Sequence, residues 1–443
     1  MSDSNGFQVP RSLRRRVNRW HCGRQRHVGP PGAPNTVVPA PVSCPTLAMI
    51  ADVGFLLRVF HDRKLWAGKA TGIDNIRWSD IGRSVAATVF RQICIEILNG
   101  TYRPGKERRV LIPRKGKTPR PIDIGSVIDR VVAAAAAQLL NKYFETFFHW
   151  SSYAYREERG HLNMLAMIAV IAQKEHRWVI GNHDIRQAFV NILLSAVMDA
   201  HRKVINDEKL LQFIGALVYG AEGAGKERGL SQGAPYSPVA MNLHMHTILD
   251  SVYESDPNES PRLRFSDNID TLSRCVADSL AARARCQSLL DPYGLVLKDD
   301  ADPDERIHAD LLAGDTTRLL GFTLSHQNGK MTFDISAKAW GNLSSRLKEC
   351  HRYPDPHRRA LHVIDGWILA AGPAVSRRCV DSLVSCTLAS MCSNGFRETN
   401  PETVKALWEK SADLWEGVLL DAHEGYPLVL EARATATRAG NSS

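Results

Sequence analysis

The chain of 443 residues is too long for one compact core, so two or three packed units with flexible ends are expected. Its 44% apolar content suits a soluble globular protein, no apolar run approaches the roughly 20 residues of a membrane span, and the N-terminus lacks the apolar core of a secretory signal. Fifty-six Lys and Arg against 47 Asp and Glu leave a net charge of +9, which makes a polyanion the first partner to test. The nine cysteines are scattered with no Cys-x-x-Cys pair, which argues against a zinc module and for reduced thiols in the cytoplasm.

Taken in chain order, residues 1–48 open with an arginine-rich run and continue into a Pro/Gly-rich stretch. So little apolar surface cannot offset the entropy of ordering, and a disordered basic arm is expected. Residues 126–148 carry Val127, Val131, Val132, an alanine run, Leu140 and Phe144, the pattern of a long buried helix. Residues 178–185 read as a short strand ending in Asp184, residues 235–250 as a second apolar helix after a Gly-rich turn, and residues 263–272 as a strand, a turn and a strand. Beyond residue 330 the pattern becomes helical, with Val404, Leu407, Trp408, Trp415 and Val418 forming one core face. His244 and His246 are expected to pack and not to bind a ligand. The last residues, small and polar, should fray.

Two features carry chemistry. Asp184 closes an apolar strand and Asp267 sits in the turn of a hairpin, so the two could meet at neighbouring strand ends. Carboxylates converging from separate strands are the minimum device for gripping a pair of divalent ions about 3.5–4 Å apart, as two-metal nucleotidyl transfer requires. Each aspartate alone is weak evidence, because Asp after a strand is more often a turn former or helix cap than a metal ligand. Between Arg103 and Arg120 lie eight basic residues and one acidic residue, and a turn at Gly116 would aim Lys115, Lys117 and Arg120 at one point, as triphosphate binding demands.

The ordered set of short segments resembles a bacterial reverse transcriptase of the group II intron type. Thr71-Gly-Ile-Asp-Asn75, the basic stretch up to Arg120, Ser152-Tyr-Ala-Tyr-Arg156, Asp184-Ile-Arg-Gln-Ala-Phe189, Leu230-Ser-Gln-Gly-Ala-Pro-Tyr-Ser-Pro238, Arg264-Phe-Ser-Asp-Asn268 and Val363-Ile-Asp-Gly-Trp367 follow one another as that family's blocks do. The resemblance implies an α+β right-hand polymerase: a palm with an antiparallel sheet and fingers over residues 49–330, a helical, maturase-like thumb over 331–428, and a disordered tail over 429–443. It implies an RNA-directed DNA polymerase that uses Mg²⁺, or Mn²⁺, with an RNA template, a DNA or RNA primer and dNTPs, attached to a retroelement or an antiviral defence locus.

The same resemblance implies roles for single residues. Asp184, Asp267 and the backbone carbonyl of Ile185 would hold the metals, with Asn268 beside them. Phe189 would be the aromatic gate that excludes a ribose 2′-hydroxyl. Gln232 and Gly233 would form the loop under the incoming nucleotide, Lys115, Lys117 and Arg120 would hold its phosphates, and Arg156 and Arg264 would touch nucleic acid. Two departures stand out. The family's catalytic turn ends in two aspartates, whereas here the second position is Asn268, which removes a negative charge and should weaken divalent-ion binding. An acidic run follows Lys298, which leaves that lysine shifted from where the family places one. Asp270, on the same strand face as Asn268, is a candidate to restore the lost charge. A silent RNA-binding or splicing cofactor, or an untemplated nucleotidyltransferase, are the rival readings.

Overall fold

A computed structural model describes residues 42–65, 70–114, 117–253, 259–299 and 306–440. The expected arm therefore lies mostly outside the described residues, but its end does not. Thr46 caps a short helix, α1 (Leu47–Ile50), whose Leu47 and Ile50 are buried, so ordered structure begins before residue 49. Helices α2 (Val53–Lys64) and α3 (Arg83–Leu98) follow, then an antiparallel hairpin of β1 (Arg108–Arg114) and β2 (Lys117–Ile124).

The long apolar helix forms as expected. In α4 (Val127–Phe144), Ser126 accepts a hydrogen bond from the Asp129 amide, and the alanine run lets neighbours approach the backbone closely. Next come α5 (His161–Glu175), β3 (Val179–Asp184), α6 (Ala188–Asn191), α7 (Leu194–Arg202) and α8 (Glu208–Tyr219). The second apolar helix is shorter than its sequence pattern suggests. α9 spans Ser237–Met245, and residues His246–Asp250 continue as a π-helical turn.

The central sheet has the order β4-β5-β3-β6 and is antiparallel throughout, with β4 (Arg262–Phe265), β5 (Asn268–Ser273) and β6 (His308–Asp310). One of its faces packs on α5, through Ile180, Leu263 and Leu272, and the other is covered by α10 (Val276–Leu290). A second antiparallel sheet, β7 (Thr317–Leu319), β8 (Phe322–Gln327) and β9 (Lys330–Ile335), precedes four helices: α11 (Ala337–Cys350), α12 (Pro356–Leu369), α13 (Val380–Ser393) and α14 (Pro401–Gly440). The mixture of helices with separate antiparallel sheets is an α+β architecture.

Two expected boundaries move. The helical part was to begin at residue 331, but β9 crosses that point and the first helix starts at Ala337. The tail from 429 was to be disordered, yet α14 runs to Gly440. Val429 is fully buried, and Arg433 donates to Glu175 on α5 at 2.7 Å. Sparse apolar residues at helical spacing, together with one ion pair, suffice to hold this segment against α5. Among the described residues no helix is long and apolar enough to cross a membrane, and the eight described cysteines are free.

Candidate active site at the end of the central sheet

The site begins with register. β3 and β5 pair so that Asp184 lies opposite Asn268, and β4 and β5 pair so that Phe265 lies opposite Asn268. Only Ser266 and Asp267 remain to make the turn. A two-residue hairpin loop needs a positive φ, and Ser266 supplies it at +62°, a conformation that L side chains adopt at a cost. The Ile185 amide donates to the Asp267 carbonyl at 3.1 Å, which ties the end of β3 to this turn. The sheet therefore brings Asp184, Ile185, Asp267 and Asn268 to one edge.

The electrostatics of that edge are unfinished. Burial, and then the negative charge of Asp184, push the Asp267 carboxyl above its ordinary value. One oxygen of Asp184, Oδ2, pairs with the Lys298 ammonium, while Oδ1 is buried with no hydrogen-bond partner. Two mutually repelling carboxylates and an orphaned carboxylate oxygen suit a divalent cation. Among the described residues no group of three His, Cys, Asp or Glu side chains that could hold a metal is present, so a metal here would rest on two carboxylates plus backbone oxygen.

Lys298, the displaced lysine of the sequence, reaches the site through backbone pairing. Leu297 forms an antiparallel bridge with Ile185, and the Lys298 amide donates to the Asp184 carbonyl at 2.8 Å. Chain distance alone conceals this, although the alternating Leu295 and Leu297 mark the extended segment. A cleft of about 440 Å³ opens beside the carboxylates, with Asp184, Asn268, Lys298, Arg306, Arg318 and Lys338 among its walls. Its floor joins the central sheet to the second sheet and the start of α11.

A second group of expected site residues converges separately, where β2 meets the loop before α9. The Arg120 guanidinium donates to Gln232 Oε1 at 3.3 Å, and the Asp123 amide donates to the Gln232 carbonyl at 2.7 Å. Gly233 adopts φ +124°, and a Cβ there would stand 2.6 Å from the Asp123 carbonyl oxygen, so only glycine lets the loop dock on β2. Phe189 is buried in the core beneath, and its carbonyl accepts from the Leu230 amide at 2.8 Å, which links α6 to the same loop. Lys115 and Gly116 lie outside the described residues, and Lys117 is placed by its backbone as the first residue of β2.

Three expectations are corrected. Arg264 was to contact nucleic acid, but it is fully buried. Its guanidinium binds Asp250 through both carboxylate oxygens, Asn242 Oδ1 at 3.0 Å, Ser152 Oγ at 2.9 Å and the Ser266 carbonyl at 2.9 Å. It braces the turn that carries Asp267. Arg156, likewise assigned to nucleic acid, is also buried, paired with Glu145 at 2.5 Å and donating to the carbonyls of His149 and Ser152 at 2.7 Å. Asp270 does not restore the missing charge, because it is wholly buried, neither oxygen has a hydrogen-bond partner, and burial pushes its carboxyl well above the usual range. His244 and His246 are packing residues as expected, both held below the usual imidazole range mainly by burial.

Comparison with known proteins agrees with this geometry. Residues 112–300 match the family model described as reverse transcriptase (RNA-dependent DNA polymerase), a span that includes Asp184, Phe189, Gln232 and Asp267. Protein YkfC of Escherichia coli K12 is 28% identical over 169 residues, 36% of this chain and 44% of that protein. The group II intron-encoded protein LtrA of Lactococcus lactis is 27% identical over 171 residues, 36% of this chain and 27% of LtrA. An uncharacterised 91 kDa protein in the cob intron of Schizosaccharomyces pombe is 28% identical over 152 residues, 33% of this chain and 18% of that protein. The chain thus spans less than half the length of each of these relatives. Both aspartates of the sheet edge lie inside the matched span, and the chain carries, over residues 112–300, a domain of the reverse transcriptase family.

Proposed function

We propose that this chain is an RNA-directed DNA polymerase of the group II intron-like kind, extending a DNA or RNA primer on an RNA template with dNTPs. The observation that carries the reading is the meeting of Asp184 with the Asp267 turn at one sheet edge, within the span that matches the reverse transcriptase family. In this reading residues 49–330 are fingers and palm and the helices from Ala337 onward are the thumb.

Asp184, Asp267 and the Ile185 carbonyl would hold Mg²⁺ or Mn²⁺, with Asn268 as a neutral neighbour. Bound there, the metal pair would sharpen the attacking 3′-oxygen and offset charge on the departing pyrophosphate. The chain's own residues do the positioning. Arg120, already aimed at Gln232, together with Lys115 and Lys117, would hold the triphosphate, and the Gln232–Gly233 loop would support the base and sugar. Phe189 would crowd a 2′-hydroxyl and so favour deoxynucleotides.

Primer extension on an RNA template with Mg²⁺ and then Mn²⁺ tests this. Asp184→Ala should cut incorporation by roughly a thousandfold, the ~4 kcal/mol expected of a lost charge-stabilising ligand. Incorporation that survives the substitution sinks the assignment. The neutral Asn268 favours a second reading, a silent fold that binds RNA as a splicing cofactor; salt-dependent RNA binding without incorporation under either metal would select it.

A further inference from the structure

We propose that Lys298 is a built-in counter-cation that neutralises the Asp184 carboxylate through Oδ2 and competes with a divalent ion for that carboxylate; this deepens the polymerase reading and rests on it. The ammonium is delivered to Asp184 by fixed backbone. The Arg186 amide donates to the Val296 carbonyl at 2.8 Å, the Leu297–Ile185 bridge follows, and the Lys298 amide donates to Asp184 itself at 2.8 Å. Arg283 clamps the far side, donating to the Lys298 carbonyl at 2.9 Å and to Asp299 at 2.8 Å. With its Cα pinned on both sides, the lysine stem starts next to the carboxylate it neutralises. The contact is a product of strand register and not of a surface chain finding an acid by chance.

Charge makes the contact matter. With Asn268 in place of a carboxylate, the edge carries Asp184 and Asp267 against Lys298, and an ammonium and a divalent ion repel each other at a shared carboxylate. Lys298 is 40% exposed and Asp184 34%, so the four-carbon stem has room to swing into the adjoining cleft, where a triphosphate would offer the ammonium a new anionic partner. Metal binding and nucleotide binding are therefore coupled: the nucleotide relieves the competition, and by reciprocity the metal favours the nucleotide. Neither a third carboxylate nor a freely mobile lysine would produce that coupling.

The test is Mn²⁺ titration of the full chain without nucleotide, followed by the electron paramagnetic resonance signal of free Mn²⁺. Lys298→Met should tighten Mn²⁺ binding roughly tenfold over wild type, the equivalent of 1.4 kcal/mol. Asn268→Asp, which leaves Lys298 in place and adds a charge, should tighten it in the same direction and guards against a folding defect in the first variant. Binding of the preformed Mn²⁺–dTTP complex, followed by equilibrium dialysis, should change less than about threefold in Lys298→Met, because the variant avoids the displacement of the ammonium but also loses its new contact with the triphosphate. Unchanged nucleotide-free Mn²⁺ affinity in Lys298→Met overturns the proposal, as does equal tightening with and without dTTP. Primer extension by the wild-type chain, run alongside, separates the two ideas: extension with unaltered Mn²⁺ affinity rejects only the lysine, whereas no extension under either metal rejects the polymerase reading beneath it.

Discussion

Two carboxylate clusters border the central sheet, one at the strand ends and one where a helical turn meets β4, and are built on opposite plans. Around Asp250 the carboxylate is fully engaged: Arg262 and Arg264 pair with it, all three side chains are fully buried, and Ser151, Ser152 and Asn242 accept from further guanidinium donors. Burial alone would raise the Asp250 carboxyl, but the two guanidiniums outweigh it and hold it well below the usual carboxylate range. Around Asp184 and Asp267 the balance is left open, with two acids, one lysine and an oxygen without a partner. A carboxylate with all its oxygens engaged in full burial marks a part that holds shape; an acid with an orphaned oxygen in a half-exposed place marks a part that awaits something.

The comparison breaks most readily at Asp250. Asp250→Ala strands two buried guanidiniums and should cost about 3–5 kcal/mol in urea unfolding, whereas Asp184→Ala should stay within about 1 kcal/mol of wild type. Equal losses would erase the distinction between a structural and a functional cluster. Gly233→Ala comes next. The loop must leave β2 or accept strain worth about 1–3 kcal/mol, and dNTP KM should rise while the Asp250 network is untouched; an unchanged KM would separate the loop from nucleotide binding.

The smallest effect belongs to Asp270, a buried acid that has no answering charge at all. Its folded-state pKa is raised by burial, so the native protein keeps a proton that the unfolded chain releases above about pH 4. The stability this proton supplies is complete below that pH and declines as pH rises toward the folded value. Asp270→Asn should therefore match wild type near pH 4 and melt slightly higher at pH 8, by up to about 1 kcal/mol. A variant that is less stable at pH 8 would mean Asp270 has a partner when folded.

Much of this was legible from residues. The strand ending in Asp184, the hairpin around Asp267 and the long helix with its alanine run follow from apolar spacing and turn chemistry, and the structure has each of them. What sequence could not supply was the direction of charge. Arg264 and Arg156 stand beside motif residues and look like nucleic-acid contacts, but their partners Asp250 and Glu145 lie 14 and 11 positions away and give no local signal. Lys298 failed in the other sense. It seemed out of place in the chain, and only the pairing of its strand with Ile185 reveals that it arrives at Asp184.

The last helix has a consequence for how the protein is born. Helix α5 is buried along almost its whole length, and part of its cover is α14, whose Tyr426 and Arg433 reach Glu175 across 251 and 258 positions of chain. During synthesis the apolar surface of α5 must wait, partly uncovered, until the ribosome has released residues beyond 433. Such distant closure slows folding and leaves the nascent chain dependent on chaperones longer than its central sheet alone would require.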